Sequence, residues 1–484
     1  MGAAWLTGAS LGAKFIGMFS QLALAWLLGK KEFGAVGLAY TIAAIVGIVQ
    51  QLGLGDILIH RHVHFERWVT PAFWMSATMS MVAAGMMLGG GTLAAHLFHA
   101  PQLPGLLAVI ALGSLAQPGR IVARAKLDID LRFRALAVWG VISSLLTAIF
   151  SVSMAWLGCG PYSFVAPMTI VAVLSSIVLW VLARPTIRWS LRVRRWRYLL
   201  SDAGAIFATN GLQTLIAYGD YLSLGLFHNQ AIVGVYFFAF NLSMQVAILL
   251  SGNLTVVLFP ALAHLGSDPA RQRTAFIRAS LMLGIVVVPL LLGQALLGGP
   301  VLRLIYGNRW ADAVTPFTFL SIGTVFAFLG GPATSMIKAR GGFGLLFRFG
   351  IVGLLVFFGL VIPMAWRGGP TSVAIAVAIY YAIFGPWGSL LALGGHRTDW
   401  PAVIRIYVPI LVASGIACAV PALIMPLLPK GPWGDLGRVV LSLALAPAIY
   451  VPIIWNLERD ICRELLRRLR DLINRLPITL LSLD

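Results

Sequence analysis

The lysines and arginines of this chain fall almost entirely in every second gap between its long apolar runs, a pattern that only a membrane-threading chain has reason to keep. Fourteen apolar stretches are long enough to cross a bilayer, at roughly 3–29, 33–54, 69–97, 104–123, 135–157, 162–183, 199–227, 231–259, 277–299, 313–337, 345–365, 371–394, 401–427 and 435–455. Of the 35 basic residues, with those within a few positions of a span edge counted to the adjoining gap, 27 lie in one set of gaps and the C-terminal tail, 7 lie in the other set, and Lys14 alone lies deep within a span. Basic gaps stay on the cytoplasmic side, so both termini are expected in the cytoplasm.

Composition leads to the same class. The chain is 59% apolar and only 11% charged, with a mean hydropathy of +0.91, which excludes a water-soluble fold. A net charge of +19 would suggest nucleic acid in a soluble protein. Here the cations flank spans on one side, where anionic phospholipids are the expected partners and nucleic acid is not. Several tryptophans sit at span ends (Trp5, Trp26, Trp68, Trp156, Trp180, Trp310, Trp400, Trp455) and read as interfacial anchors. Cys159, Cys418 and Cys462 lack metal-ligand spacing, and His60, His62 and His64 read as a solvated loop. No metal or cofactor is expected. The apolar character begins before Lys14 and continues past Ala23-Leu24-Ala25, so the N-terminus reads as a retained helix and not as a cleaved signal.

The segment from Arg184 to Arg197 holds six arginines and Pro185 and divides six spans from eight. Beyond it, IVGVYFFAFNL echoes EFGAVGLAYTI, pairing Gly34 with Gly234 and Ala39 with Ala239 at an offset of 200. Both copies occupy the turn between the first and second spans of a bundle, which points to a parallel internal duplication. The expected fold is therefore an all-α polytopic membrane protein of about fourteen helices, in two six-helix bundles plus two accessory helices. Its divisions are 1–183, a basic linker at 184–198, 199–394, accessory helices at 395–455, and a tail at 456–484. In the tail, Leu457, Ile461, Leu465, Leu469, Leu472 and Leu476 recur at helical intervals among arginines, the pattern of a helix lying on the membrane surface, with Glu464 and Arg468 an (i, i+4) pair.

Five stretches carry a family resemblance: 23–61, 117–133 (QPGRIVARAKLDIDLRF), 218–242 (YGDYLSLGLFHNQAIVGVYFFAFNL), 258–279 and 304–321. In them the chain resembles the bacterial polysaccharide flippases of the multidrug, oligosaccharidyl-lipid and polysaccharide exporter superfamily. It departs from the family's pattern at Trp26, where many members carry arginine, and at Asp56, where a small residue is usual. The resemblance implies a multi-pass protein of the bacterial inner membrane that carries a polyprenyl-pyrophosphate-linked oligosaccharide to the periplasmic leaflet by alternating access around a cationic cavity. It also implies a coupling proton or sodium ion, and a polysaccharide polymerase and other export components as partners. The alternatives are a multidrug exporter or peptidoglycan-precursor flippase of the same superfamily, and a membrane polymerase or ligase.

Under that reading three cations and one acid are candidates. Lys14, near the middle of the first span, is expensive to insert and is expected to face a cavity that meets pyrophosphate; the alternative is that it snorkels and sets topology. Arg120 and Arg124, within RIVARAK, are placed to touch the incoming pyrophosphate. Asp220 is the candidate ion-coupling carboxylate, against the alternative of an interfacial helix end. Asp202 reads as a charge favoured at a helix N-terminus, and Asp128, Asp130, Arg132 and Arg134 as a solvated hinge. No phosphate-binding loop, nucleophile elbow or large outer loop bearing catalytic residues is present in the sequence, so an enzyme is not expected.

Overall fold

Within hydrocarbon no water satisfies an exposed amide, so an apolar run of this length is stable only if it closes its own hydrogen bonds as a helix. A computed structural model describes residues 2–190, 195–251, 262, 265, 268–467 and 470, with 2–7, 9, 200–203, 205, 206, 250 and 251 described by backbone alone. Among the described residues regular structure is entirely helical. In order the helices are α1 (Gly2–Leu27), α2 (Lys30–Gly47), α3 (Leu54–His60), α4 (Phe65–Leu97), α5 (Leu103–Leu115), α6 (Gln117–Ile129), α7 (Phe133–Trp156) and α8 (Tyr162–Ala183). They continue as α9 (Trp196–Phe227), α10 (Gln230–Ser251), α11 (Pro269–Tyr306), α12 (Ala311–Ala339), α13 (Phe343–Arg367), α14 (Pro370–Leu393), α15 (Trp400–Ile424) and α16 (Pro432–Leu457).

Thirteen helical segments among the described residues are long and apolar enough to cross a membrane. The fourteenth expected span, 199–227, falls on the 32-residue α9. Two of the expected spans are broken. After α2 a short 3-10 turn, Ile48–Gln50, leads to Gly53 at φ 62°, and α3 starts anew. Gly53 is in the left-handed region, which a residue without Cβ adopts at little cost. The second break lies at Ala116, where Pro118 near the start of α6 withholds the amide that would continue α5. The histidine segment is thus not a plain loop: His60 ends α3, and His62–His64 form a 3-10 turn. All three side chains are exposed, and no metal-binding group exists among the described residues.

The chain forms two compact units, Met1–Phe238 with Leu346–Val373, and Ala239–Leu345 with Ala374–Asp484. In the first, α1 packs on α7, α2 on α5 and α9, and α6 on α3, α4 and α8. The described part of the arginine-rich linker is docked along α4: Trp74 donates to the Arg188 carbonyl at 3.2 Å, Arg195 to the Arg67 carbonyl at 2.9 Å, and Thr186 to Glu66. In the second unit, α11 packs on α12, α15 and α16. The Tyr450 hydroxyl donates to the Ile285 carbonyl at 2.7 Å, joining α16 to α11.

Two interfacial expectations need correction. Trp310 is only 1% exposed and is a core residue, because it begins the tight turn into α12 with its ring directed inward. Trp26 and Trp156, 60% and 80% exposed, do lie on the surface. The tail helix is described at 459–467; Ile461 and Cys462 are buried, and Glu458 pairs with Arg405 of α15 at 3.2 Å. That segment is therefore docked on protein. Leu469, Leu472, Leu476 and Arg468, like 252–259 of the eighth expected span and 191–194 of the linker, lie outside the described residues.

Candidate functional site

Asp220 of α9 is a charged side chain buried within the first unit. It is 1% exposed and lies seven residues before the end of α9. The Tyr236 hydroxyl donates to Oδ2 at 2.7 Å, and the Tyr221 amide donates to Oδ1 at 2.8 Å. No basic side chain lies within ion-pair distance of it among the described residues. Aromatic rings close the surroundings: Tyr221 stands edge-on to Tyr236 with centroids 5.3 Å apart and to Phe237 at 5.7 Å. On the other side Gly219 lies so close to Phe357 and Phe358 of α13 that a Cβ there would come within 2.7 Å of the Phe358 ring. A carboxylate taken from water with two donors and no counter-ion is costly as an anion, and a proton or a small cation relieves that cost.

Lys14 sits at the centre of α1, half-buried. Ser10, Lys14 and Gln21 are spaced i, i+4 and i+11, which puts them on one stripe of the helix, together with Gly17. A polar stripe in the middle of a span that is otherwise apolar favours contact with water or with a polar partner over contact with lipid. Arg120 and Arg124 are one turn apart on α6, both exposed. Arg124 is 3.7 Å from Asp128 of the same helix, and Asp56 of α3 is near enough to repel Asp128. The α3/α6 face thus carries two cations and two acids, which lowers its net pull on an anion. Asp128 belongs to α6 and not to a hinge. Asp202 has a described backbone in α9 but no described side chain.

Lys14, the Arg120/Arg124 pair and Asp220 stand on three different helices, and Asp220 makes no ion pair with any of them. Sequence reading missed Tyr236, the group that holds Asp220. The available signal was weak: a tyrosine near the start of a helix looks the same whether it anchors at an interface or donates to a buried acid.

Gly34 of α2 and Gly234 of α10, the glycines paired at an offset of 200, meet at a helix crossing. A Cβ added to Gly34 would overlap the Gln230 carbonyl, and one added to Gly234 would overlap the Lys30 carbonyl. Because 230 and 234 are 30 and 34 plus 200, the two contacts are images of one another, and α2 crosses α10 backbone to backbone. A Cβ on Gly37 would lie 2.9 Å from the ring of Phe237, its own counterpart. Small residues at such a crossing let two helices approach closely in a membrane, where van der Waals packing is a principal source of association.

This all-helical architecture is that of lipid flippases and multidrug transporters of known structure. The chain superposes on an inward closed conformation of the lipid II flippase MurJ with a TM-score of 0.75 over 94% of its length and 99% of the other, at 13% identity. It superposes on an inward-facing multidrug resistance MATE transporter of the MOP superfamily with a TM-score of 0.60, covering 83% of this chain and 96% of that one, at 14% identity. Residues 23–315 match the family model described as polysaccharide biosynthesis protein, and the chain belongs to that family. Among curated relatives, the succinoglycan biosynthesis transport protein ExoT of Rhizobium meliloti is 24% identical over 92% of this chain and 90% of its own length. The lipopolysaccharide biosynthesis protein WzxC of Escherichia coli is 22% identical over 79% and 77% respectively. The teichuronic acid biosynthesis protein TuaB of Bacillus subtilis is 23% identical over 69% of each.

Proposed function

We propose that this chain is a flippase that moves polyprenyl-pyrophosphate-linked oligosaccharide units from the cytoplasmic to the periplasmic leaflet for O-antigen or exopolysaccharide synthesis, carrying the lipid without transforming it. The observation that carries the reading is family membership over 23–315 joined to relatives whose names specify polysaccharide biosynthesis and transport. Lys14, with Ser10 and Gln21 beside it, offers a polar path for the headgroup while the polyprenyl chain stays in lipid. Arg120 and Arg124 meet the pyrophosphate at the cytoplasmic face. The two six-helix bundles, at 1–183 and 199–394, are the moving parts, with 395–455 accessory. Deleting the gene is expected to remove surface polysaccharide and to accumulate lipid-linked oligosaccharide on the cytoplasmic leaflet. Normal polysaccharide in the deletion strain would refute the reading.

The distribution of basic residues supports cytoplasmic termini in the inner membrane. Reporter fusions at Arg194 and His396 are expected to read cytoplasmic, and fusions at Gln102 and Trp366 periplasmic; a cytoplasmic signal at Gln102 would overturn the span assignment.

We assign ion coupling to Asp220. Asn keeps one carbonyl oxygen to accept from the Tyr221 amide and places its NH2 toward Tyr236, whose hydroxyl can turn to accept, but it cannot carry the charge. Asp220→Asn is therefore expected to remain in the membrane at normal abundance while transport loses its dependence on a proton or sodium gradient. Gradient dependence equal to that of the native protein in this variant would return Asp220 to a purely structural role.

A further inference from the structure

Only seven basic residues stand in the gaps that alternate with the arginine-rich ones, and three of these seven converge on a single pocket in the second unit. The pocket, about 850 Å³, lies between the end of α11, the end of α15 and the start of α16, and is lined by Arg303, Lys430 and Arg438 with Asp435 at its base. Asp435 is 5% exposed and organises the group. Arg303 grips it with two parallel bonds, Nε to Oδ2 at 3.0 Å and Nη2 to Oδ1 at 2.8 Å, and Arg438 adds Nη1 to Oδ1 at 2.6 Å. Arg438 is held further by the carbonyls of Met425, Leu428 and Pro429, which fixes its plane. A carboxylate shared by two guanidinium groups leaves one positive charge over, and Lys430, exposed and without a protein partner among the described residues, makes the excess two.

A structural ion cluster needs no such excess. One arginine would neutralise Asp435, and a third cation at the mouth repels the other two unless an anion joins them. Arg303 spends Nε and Nη2 on Asp435, and its Nη1 has no hydrogen-bond partner among the described residues. That leaves Nη1, whose position the pair with Asp435 fixes, as a charge-assisted donor of the kind that binds phosphate oxygens. The apolar residues flanking the pocket in sequence indicate how the phosphate arrives: Leu427 and Trp433 are 82% and 84% exposed, as befits side chains that meet acyl chains and the interface.

We propose that Arg303, Lys430 and Arg438, set around the buried carboxylate of Asp435, form a binding site for a phosphate carried on a lipid. The site goes beyond the transport reading and does not depend on it, since an anionic phospholipid headgroup and a polyprenyl phosphate present the same chemistry.

The test is native mass spectrometry of the full chain with phosphatidylglycerol, polyprenyl phosphate and, as a neutral control, phosphatidylcholine. The native protein is expected to retain the first two over the third. Lys430→Gln is expected to lower that retention about fivefold, the effect of one cation near a charged surface, and Arg303→Gln to lower it further. Because Lys430 has no protein partner among the described residues, its variant decides the matter even if Arg303→Gln misfolds. A loss confined to phosphatidylglycerol identifies a headgroup site, and a loss confined to polyprenyl phosphate a site for the transported lipid; both support the proposal. Equal retention of the anionic lipids by the native protein and Lys430→Gln, or no preference over phosphatidylcholine, would overturn it. Either result leaves the transport reading to stand or fall on the deletion phenotype.

Discussion

Gly34→Val, and separately Gly234→Val, will leave protein in the membrane but cut surface polysaccharide by roughly tenfold or more. Each substitution drives a branched side chain into a backbone carbonyl of the facing helix, Gln230 in one case and Lys30 in the other. Backbone in a helix cannot turn aside as a side chain can, so α2 and α10 must separate. Overpacking of this kind costs about 1–3 kcal/mol, enough to shift a two-state equilibrium by about fivefold at the low end and about a hundredfold at the high end. The reciprocal geometry adds a check: the two variants load equivalent sides of one crossing and should fail alike. Gly12→Val serves as control, since a Cβ there meets nothing within 4 Å. Should Gly34→Val export polysaccharide at the native level, the crossing is dispensable in the transport cycle.

That crossing also shows how much of the molecule was legible in its sequence. Matching Gly34 with Gly234 required only an offset of 200, and the structure supplies the reason both positions are glycine: each faces the carbonyl four residues before the other. The spans were legible because hydrocarbon imposes one length scale on every apolar run. The breaks before α3 and α6 were not, since hydropathy stays high through Ile48 and Leu115 while the helix stops for local reasons, a left-handed Gly53 and Pro118. Nor was the fate of aromatic residues, for Trp310 and Trp156 both stand at helix ends, one 1% and the other 80% exposed. Charge counts placed Arg303, Lys430 and Arg438 on one side but could not bring together residues more than 120 positions apart. The same limit hid the bond from Tyr236 to Asp220, because which acceptor a phenol meets is decided by helix packing and leaves no periodic trace.

Lys14→Ala is expected to abolish export without harming the protein's place in the membrane. A lysine at the centre of a span costs ~2.5–3.5 kcal/mol on insertion scales, so removing it should leave abundance normal or raised. Its retention on a stripe with Ser10 and Gln21, at the midpoint of α1, favours a polar surface there over a simple topological signal. A topological cation works best near a span end, where it reaches the headgroups. The expected phenotype is loss of surface polysaccharide with lipid-linked oligosaccharide held on the cytoplasmic leaflet, measured beside immunoblots of membrane fractions. Lys14→Arg should keep part of the activity, because charge is preserved while reach and donor geometry change. Ser10→Ala, which leaves the charge in place, should have a smaller effect than Lys14→Ala. Full export by Lys14→Ala at native abundance would mean that the headgroup crosses without this ammonium, and Lys14 would then serve topology alone.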